Sequence, residues 1–174
     1  AHVAVVATYG MSETAGGCVY DGVPLRGTHV ALDAEGRISL GGATLAAGYL
    51  GDPELTREAF TTDADGIRWF RTDDVGHVDD RGRLHVDGRL DDLVNSGGLK
   101  VAPRLVEEAV ARHLPEVREV VVVGTPHPTW GQAVSALLVL RPDAAQDRLG
   151  VADVRARLRG ALPDHALPFV EKIG

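Results

Sequence analysis

Three times between Thr28 and Val86 a short apolar stretch breaks at Asp-x-x-Gly: Asp33 to Gly36, Asp63 to Gly66 and Asp79 to Gly82. Asp bonds readily to the backbone just after it and Gly closes tight turns, so this half of the chain is restricted to short antiparallel hairpins. His77-Val78 and Leu84-His85-Val86 read as the strands around the last turn, and only Pro53 to Phe60 reads as helical. As calcium loops these turns fail, because none has the ligand number or closing Glu of an EF-hand.

Beyond Arg89 the pattern changes. Leu93-Val94 and Leu99-Lys100-Val101 flank Asn95-Ser96-Gly97-Gly98 as a hairpin. Pro103 then opens a helix with Leu105, Val106, Ala109 and Val110 on its apolar face, ended before Pro115. Val120 to Val123 and Val134 to Leu140 read as strands, and Val151, Val154, Leu158 and Leu162 mark a second amphipathic helix. The expected class is α+β: residues 1–88 as the β-rich end of a larger domain, then a small α+β domain over 89–174. No Pro- or Ser-rich linker marks the boundary near Gly88 to Asp92, which predicts a short joint where a ligand cleft and a hinge coincide. Val3-Ala4-Val5-Val6-Ala7 reads as a buried strand with no preceding element to pair with, and Phe169 to Gly174 as a strand cut at its exit. Both ends are expected to be those of a fragment.

Composition narrows the partners. A net charge of −7 repels a phosphate backbone, and three Phe, three Tyr and two Trp are too few for base-stacking platforms, so nucleic acid is not an expected partner. A small anion held by local backbone amides remains compatible. Cys18 is the single cysteine, which excludes an internal disulfide and a Cys-based zinc site and fits a cytoplasmic compartment. No apolar run approaches the roughly 20 residues that span a bilayer.

Three polar blocks carry candidate chemistry. In Thr8-Tyr9-Gly10-Met11-Ser12-Glu13-Thr14, Tyr9 offers a flat face for a base, Ser12 a hydroxyl for a phosphate and Glu13 a hard carboxylate for Mg²⁺. Taken alone, the block is equally a strand end with a capping Ser and Glu. In Trp69-Phe70-Arg71-Thr72-Asp73-Asp74-Val75-Gly76, a carboxylate suits the paired hydroxyls of a ribose, although adjacent Asp residues are common on turns and surfaces. The third block is Gly88-Arg89-Leu90-Asp91-Asp92 with Asn95 to Lys100 and Glu107. Arg89 offers a planar donor fork, and Gly97 and Gly98 admit a ligand close to backbone, unless they form only a Gly-Gly hairpin between surface charges.

The order and spacing of these blocks resemble the adenylate-forming (AMP-binding) superfamily of acyl-CoA synthetases, luciferases and peptide-synthetase adenylation domains. The matching residues are Tyr-Gly-x-Ser-Glu at Tyr9 to Glu13, Gly48-Tyr49 with Pro53, Arg-Thr-x-Asp at Arg71 to Asp74, Gly-Arg-x-Asp-Asp at Gly88 to Asp92, and Gly98 with Lys100. The resemblance covers essentially the whole chain. It implies an acid-thiol ligase using ATP, Mg²⁺ and coenzyme A: a carboxylate becomes an acyl-adenylate, which a thiol then attacks.

Carried over residue by residue, Tyr9, beside Gly10, would stack on adenine, Ser12 would contact the phosphates and Glu13 would bind Mg²⁺. Asp74 would hold the ribose hydroxyls and Arg89 would reach the same ribose. Asp91 corresponds to the hinge, Gly97 and Gly98 to the pantetheine path, and Lys100 lies on that face. Two positions depart from the pattern: Ser12 replaces the frequent Thr, and Asp73 stands where Gly is usual, with Asp74 the favoured ribose ligand.

The phosphate loop expected upstream and the Gly-Lys motif expected after Gly174 are not in the chain, and Lys172 does not match that motif, so the isolated chain is expected to be inactive. Gly16 to Leu25 and the compact Arg71-Thr72-Asp73-Asp74 look like the actinobacterial o-succinylbenzoate:CoA ligases of menaquinone synthesis, which makes o-succinylbenzoate the first acid expected and other aryl or acyl acids the second. A carrier-protein adenylation domain and a non-catalytic nucleotide-binding module are the rival readings. Cys18 is expected to be a small buried residue, and His127, in the family-like turn Pro126 to Gly131, to be structural.

Overall fold

The computed structural model describes residues 3–142 and 149–172, the last two through their backbone only, and the chain divides into two units, Ala1–Leu90 and Asp91–Gly174. In the first unit β1 (Thr8–Met11), β2 (Gly16–Tyr20) and β3 (Val23–Pro24) form a three-stranded antiparallel sheet, with one 3-10 turn, Ser12–Thr14, between β1 and β2. The buried strand expected over Val3 to Ala7 is not there. The ladder of β1 starts at Thr8 opposite Tyr20, residues 3–7 pair with no strand among the described residues, and Val3 and Val5 are 82% and 87% exposed. An apolar run alone does not make a strand; a neighbour must take up its backbone groups.

The Asp-x-x-Gly segments do make hairpins, and all three use the same bonds. β4 (Thr28–Leu32) turns into β5 (Arg37–Gly42); α1 (Pro53–Ala59) leads to β6 (Phe60–Thr62), which turns into β7 (Arg68–Val78), and β7 turns into β8 (Leu84–Arg89). Asp33 Oδ1 accepts from the amides of Glu35 and Arg37, Asp63 Oδ1 from Asp65 and Ile67, and Asp79 Oδ1 from Arg81 and Arg83, all at 2.8–3.0 Å. In each turn the Gly amide donates to the Asp carbonyl. Sheet order is β4-β5-β7-β6, with β8 also paired to β7. Cys18 and Val19 of the first sheet bury against Ile38, Leu40 and Leu84 of the second, with Tyr9 and Met11 packed on the same core.

One irregularity in this unit places the site. Arg37 lies opposite Val75 and Ser39 opposite Arg71, so Thr72, Asp73 and Asp74 of β7 face the single residue Ile38. The extra length bulges, as strands do where they re-aim side chains. Thr72, 1% exposed, holds the bulge: its hydroxyl donates to the Ile38 carbonyl (2.8 Å) and accepts from the Asp74 amide (3.0 Å). Arg37 Nε donates to the Thr72 carbonyl, and Asp74 emerges opposite Arg89 of β8.

After a 3-10 turn at Leu90–Asp92, the second unit begins with the hairpin β9 (Val94–Ser96) and β10 (Leu99–Val101), joined through Gly97 and Gly98 at φ of 62° and 85°. Two left-handed residues in succession are what a type I′ turn requires, so the glycines have a structural reason here whatever they bind. α2 (Pro103–His113) carries Pro at its first turn and buries Val106, Ala109 and Val110, while Leu105 sits at the rim, 40% exposed. β11 (Val117–His127) and β12 (Gly131–Leu140) pair along nearly their whole length, α3 spans Val151–Leu158, and β13 (Phe169–Lys172) runs parallel to β12. Ile173 and Gly174, expected to finish that strand, lie outside the described residues.

β11 runs beyond the expected Val120–Val123 to include Pro126. It is the outer strand of the order β10-β9-β12-β11, where a residue without an N–H costs little. Leu162 lies past the end of α3 yet still packs on the core. That core is one face of the sheet, Val122, Val134, Ala136 and Leu138, against α2 and against Val154 and Leu158 of α3. The Glu107 carboxylate accepts from the Val122 amide (2.9 Å), tying α2 to β11.

Two stability measurements follow. Leu138 is fully buried, so Leu138→Ala should cost about 2–5 kcal/mol in chemical denaturation. The Asp79 carboxylate is held down to about 2 by the Arg83 amide first and His85 next. A carboxylate depressed on folding stabilises above its unfolded value and loses that contribution as pH falls through its folded value. Wild type should therefore be more stable than Asp79→Asn at neutral pH, and the gap should close between about pH 4 and pH 2 in thermal melts.

Candidate functional site

Tyr9, Asp74 and Arg89 come from three separate strands and meet in the first unit. The Tyr9 hydroxyl donates to Asp74 Oδ2 at 2.7 Å, and Arg89 lies 3.9 Å from Asp74 Oδ1 and 3.7 Å from Asp73 Oδ2. Burial, and then the bond to Asp74, push the Tyr9 phenol far above its ordinary value, so it stays a donor at any physiological pH. The two adjacent carboxylates differ sharply. Asp73 is half exposed and takes the Arg37 guanidinium at 2.6 Å, whereas Asp74 is 15% exposed and keeps Oδ1 with only the long Arg89 contact. Arg37 was not legible as a site residue; it enters through strand register.

Glu13 sits one turn beyond β1. Its Oε1 accepts from the Tyr49 hydroxyl (2.9 Å) and its carbonyl from the Ala46 amide (2.8 Å), so the loop before α1 grips it twice. Burial, then the Glu13 bond, raise Tyr49 to about 12. Tyr49 stood in the sequence only as part of the Gly-Tyr-x-x-x-Pro spacing, with no hint of this contact. Ser12 is exposed on the same turn. Gly10 has a packing reason: a Cβ there would stand 2.0 Å from the Gly16 carbonyl oxygen, so β1 and β2 approach only because the position is bare. Cys18 is fully buried, and burial raises its thiol, as befits an inert core residue.

The donor sets suit the groups the resemblance implies. Among the described residues no three His, Cys, Asp or Glu side chains converge as a metal cage. A lone carboxylate whose second oxygen takes no hydrogen bond among the described residues fits Mg²⁺, which keeps waters and phosphate oxygens as its other ligands. Asp74 offers an acceptor pair of the kind a ribose diol uses.

In the second unit Asp91 is the first residue, on an exposed 3-10 turn, and Lys100 is exposed on β10. Gly97 backs onto Trp130, its amide donating to the Trp130 carbonyl (3.0 Å), and among the described residues nothing beyond its chain neighbours stands within 4 Å of where a Gly98 Cβ would be. Beside them a cavity of about 380 Å³ is lined by Gly97, Leu99, Trp130, Arg155, His165 and Phe169. His127 stacks on Trp130 with ring centres 4.2 Å apart, and its Nδ1 accepts from the Thr129 and Trp130 amides, which commits it to the turn.

Residues 105–172 match the AMP-binding enzyme C-terminal domain. Over 142 residues the chain is 46% identical to the probable 2-succinylbenzoate–CoA ligase of Mycobacterium tuberculosis, a match covering 80% of this chain and 35% of that relative. The chain belongs to the adenylate-forming, AMP-binding enzyme family. Within that family it is also 43% identical over 112 residues to the sulfoacetate–CoA ligase of Cupriavidus necator, covering 64% of this chain and 21% of that one. ATP-bound MatB from Rhodopseudomonas palustris shares the fold at a TM-score of 0.79 and 30% identity, over 98% of this chain and 37% of that structure. The chain thus spans about a third of the length of its M. tuberculosis relative. No helix among the described residues is long and apolar enough to cross a membrane.

Gly10→Ala should destabilise the first unit by about 1–3 kcal/mol, because the added methyl meets backbone that cannot rotate away. Urea unfolding read at a probe in that unit would register it.

Proposed function

We propose that this chain contributes to an ATP-dependent acid:CoA ligase of the cytoplasm, with o-succinylbenzoate as its acid. One observation carries the nucleotide assignment. Tyr9, Asp74 and Arg89, which belong to three distant motif blocks, converge on one carboxylate. The acid assignment is supported by the 46% identity to the M. tuberculosis relative and by Gly16, whose Cβ position faces open space among the described residues; at Gly17 the Thr8 side chain fills that space instead.

ATP, when bound, supplies AMP as the leaving group that turns a poor acylating agent into a good one, with loss of pyrophosphate. The chain's own residues orient it. Tyr9 gives its ring to adenine and its hydroxyl to Asp74; the carboxylate so fixed accepts from the ribose hydroxyls, with Arg89 alongside. Ser12 would meet the phosphates and Glu13 would hold Mg²⁺, which would supply positive charge to offset the negative charge developing on the phosphoryl oxygens. Gly97 and Gly98 border the pantetheine path, and Lys100 lies on that face. The second unit turns about Asp91 between adenylation and thioester formation. Asp91→Pro should accordingly slow thioester formation more than adenylation.

The test is acid-dependent pyrophosphate release by the complete gene product across a panel of acids that includes o-succinylbenzoate. Asp74→Asn should raise the KM for ATP at least about tenfold, the loss of a charge-assisted hydrogen bond, while Asp73→Asn changes it little. A larger effect at Asp73 than at Asp74 would reverse the ribose assignment. Turnover only with a carrier protein would make this an adenylation domain, and no turnover with any acid a nucleotide-binding module. The 174-residue chain alone should give no ATP–pyrophosphate exchange.

A further inference from the structure

The hydroxyl of Tyr49 is a fixed donor aimed at Glu13, and the structure spends several contacts on fixing it. The ring meets Phe60 edge-on with centres 5.7 Å apart, and Phe60 meets Phe70 at 4.9 Å. The Tyr49 amide donates to Thr56 Oγ1 (2.9 Å), whose own hydroxyl donates to the Asp52 carbonyl (2.7 Å) at the start of α1. The Arg68 guanidinium donates to the carbonyls of Ala46 and Ala47, and the Ala46 amide donates to the Glu13 carbonyl. Backbone, ring and loop are therefore set independently of the phenol's hydrogen bond, 2.9 Å to Glu13 Oε1. A Glu side chain has three rotatable bonds and loses its freedom only when its carboxylate is held.

We propose that Tyr49 is a positioning residue for the metal-holding carboxylate: it anchors Glu13 Oε1 so that Oε2 faces the cation in one orientation. This rests on the reading of Glu13 as the Mg²⁺ ligand. The contact on which the proposal stands is with Glu13, so Tyr49 acts through that carboxylate, as outer-shell partners that orient metal ligands do.

ATP binding to the complete gene product, measured by calorimetry in Mg²⁺ and again in EDTA, tests this without turnover. Wild type should bind more tightly in Mg²⁺. Tyr49→Phe, which keeps the ring on Phe60, should lose about tenfold of that gain and leave the affinity in EDTA unchanged, the scale of a lost outer-shell contact. Glu13→Gln should remove the gain, and adding Tyr49→Phe to it should remove nothing more. A Tyr49→Phe protein with the full Mg²⁺ gain, or one weakened equally in Mg²⁺ and EDTA, overturns the proposal while a lost gain in Glu13→Gln keeps the metal reading. If Glu13→Gln retains the gain, the metal reading is wrong and this inference falls with it.

Discussion

The hydrogen bond from the Tyr9 phenol to Asp74 ties the two sheets of the first unit together at the candidate site. Its donor stands on β1 and its acceptor on the bulge of β7, 65 residues later in the chain. Both groups are largely out of water, so the bond is charge-assisted in a medium where such contacts are strong, and breaking it strands a carboxylate. The other assignments in that unit inherit their positions from it. Glu13 follows Tyr9 by one turn, Arg89 faces Asp74 across the β7–β8 ladder, and Thr72 and Arg37 hold the bulge that turns Asp74 toward Tyr9.

The contrast between Asp73 and Asp74 shows how two identical side chains acquire different surroundings. Asp73 points to solvent and is neutralised by Arg37, while Asp74 is sheltered and keeps an oxygen free of short contacts. Burial with a fixed donor on one side and an open acceptor on the other is the arrangement of a binding carboxylate. An exposed carboxylate already paired with a guanidinium is a surface salt bridge, worth little to stability and poorly placed for a ligand.

Much of the fold was legible because its signals are local. An Asp that bonds to amides two and four residues on makes its own turn, so Asp33, Asp63 and Asp79 announced their hairpins; Pro103 and the spacing of Val106, Ala109 and Val110 likewise announced α2. What failed depended on partners. Val3 to Ala7 has the apolar run of a buried strand but no partner strand among the described residues, and the reach of β11 through Pro126 follows only from its place at the sheet edge. The same division holds for the site. Tyr9, Glu13, Asp74 and Arg89 stood out as motif residues, but Arg37 and the Tyr49 hydroxyl act through register and loop geometry, which no short window of sequence encodes.

The central claim, one nucleotide held by the Tyr9–Asp74–Arg89 cluster, is tested most directly by a crystal structure of the complete protein with AMP. The account predicts adenine across the Tyr9 ring and the ribose hydroxyls within about 3 Å of the Asp74 carboxylate. A ribose seated on Asp73, or AMP bound away from β1 and the β7 bulge, would contradict it.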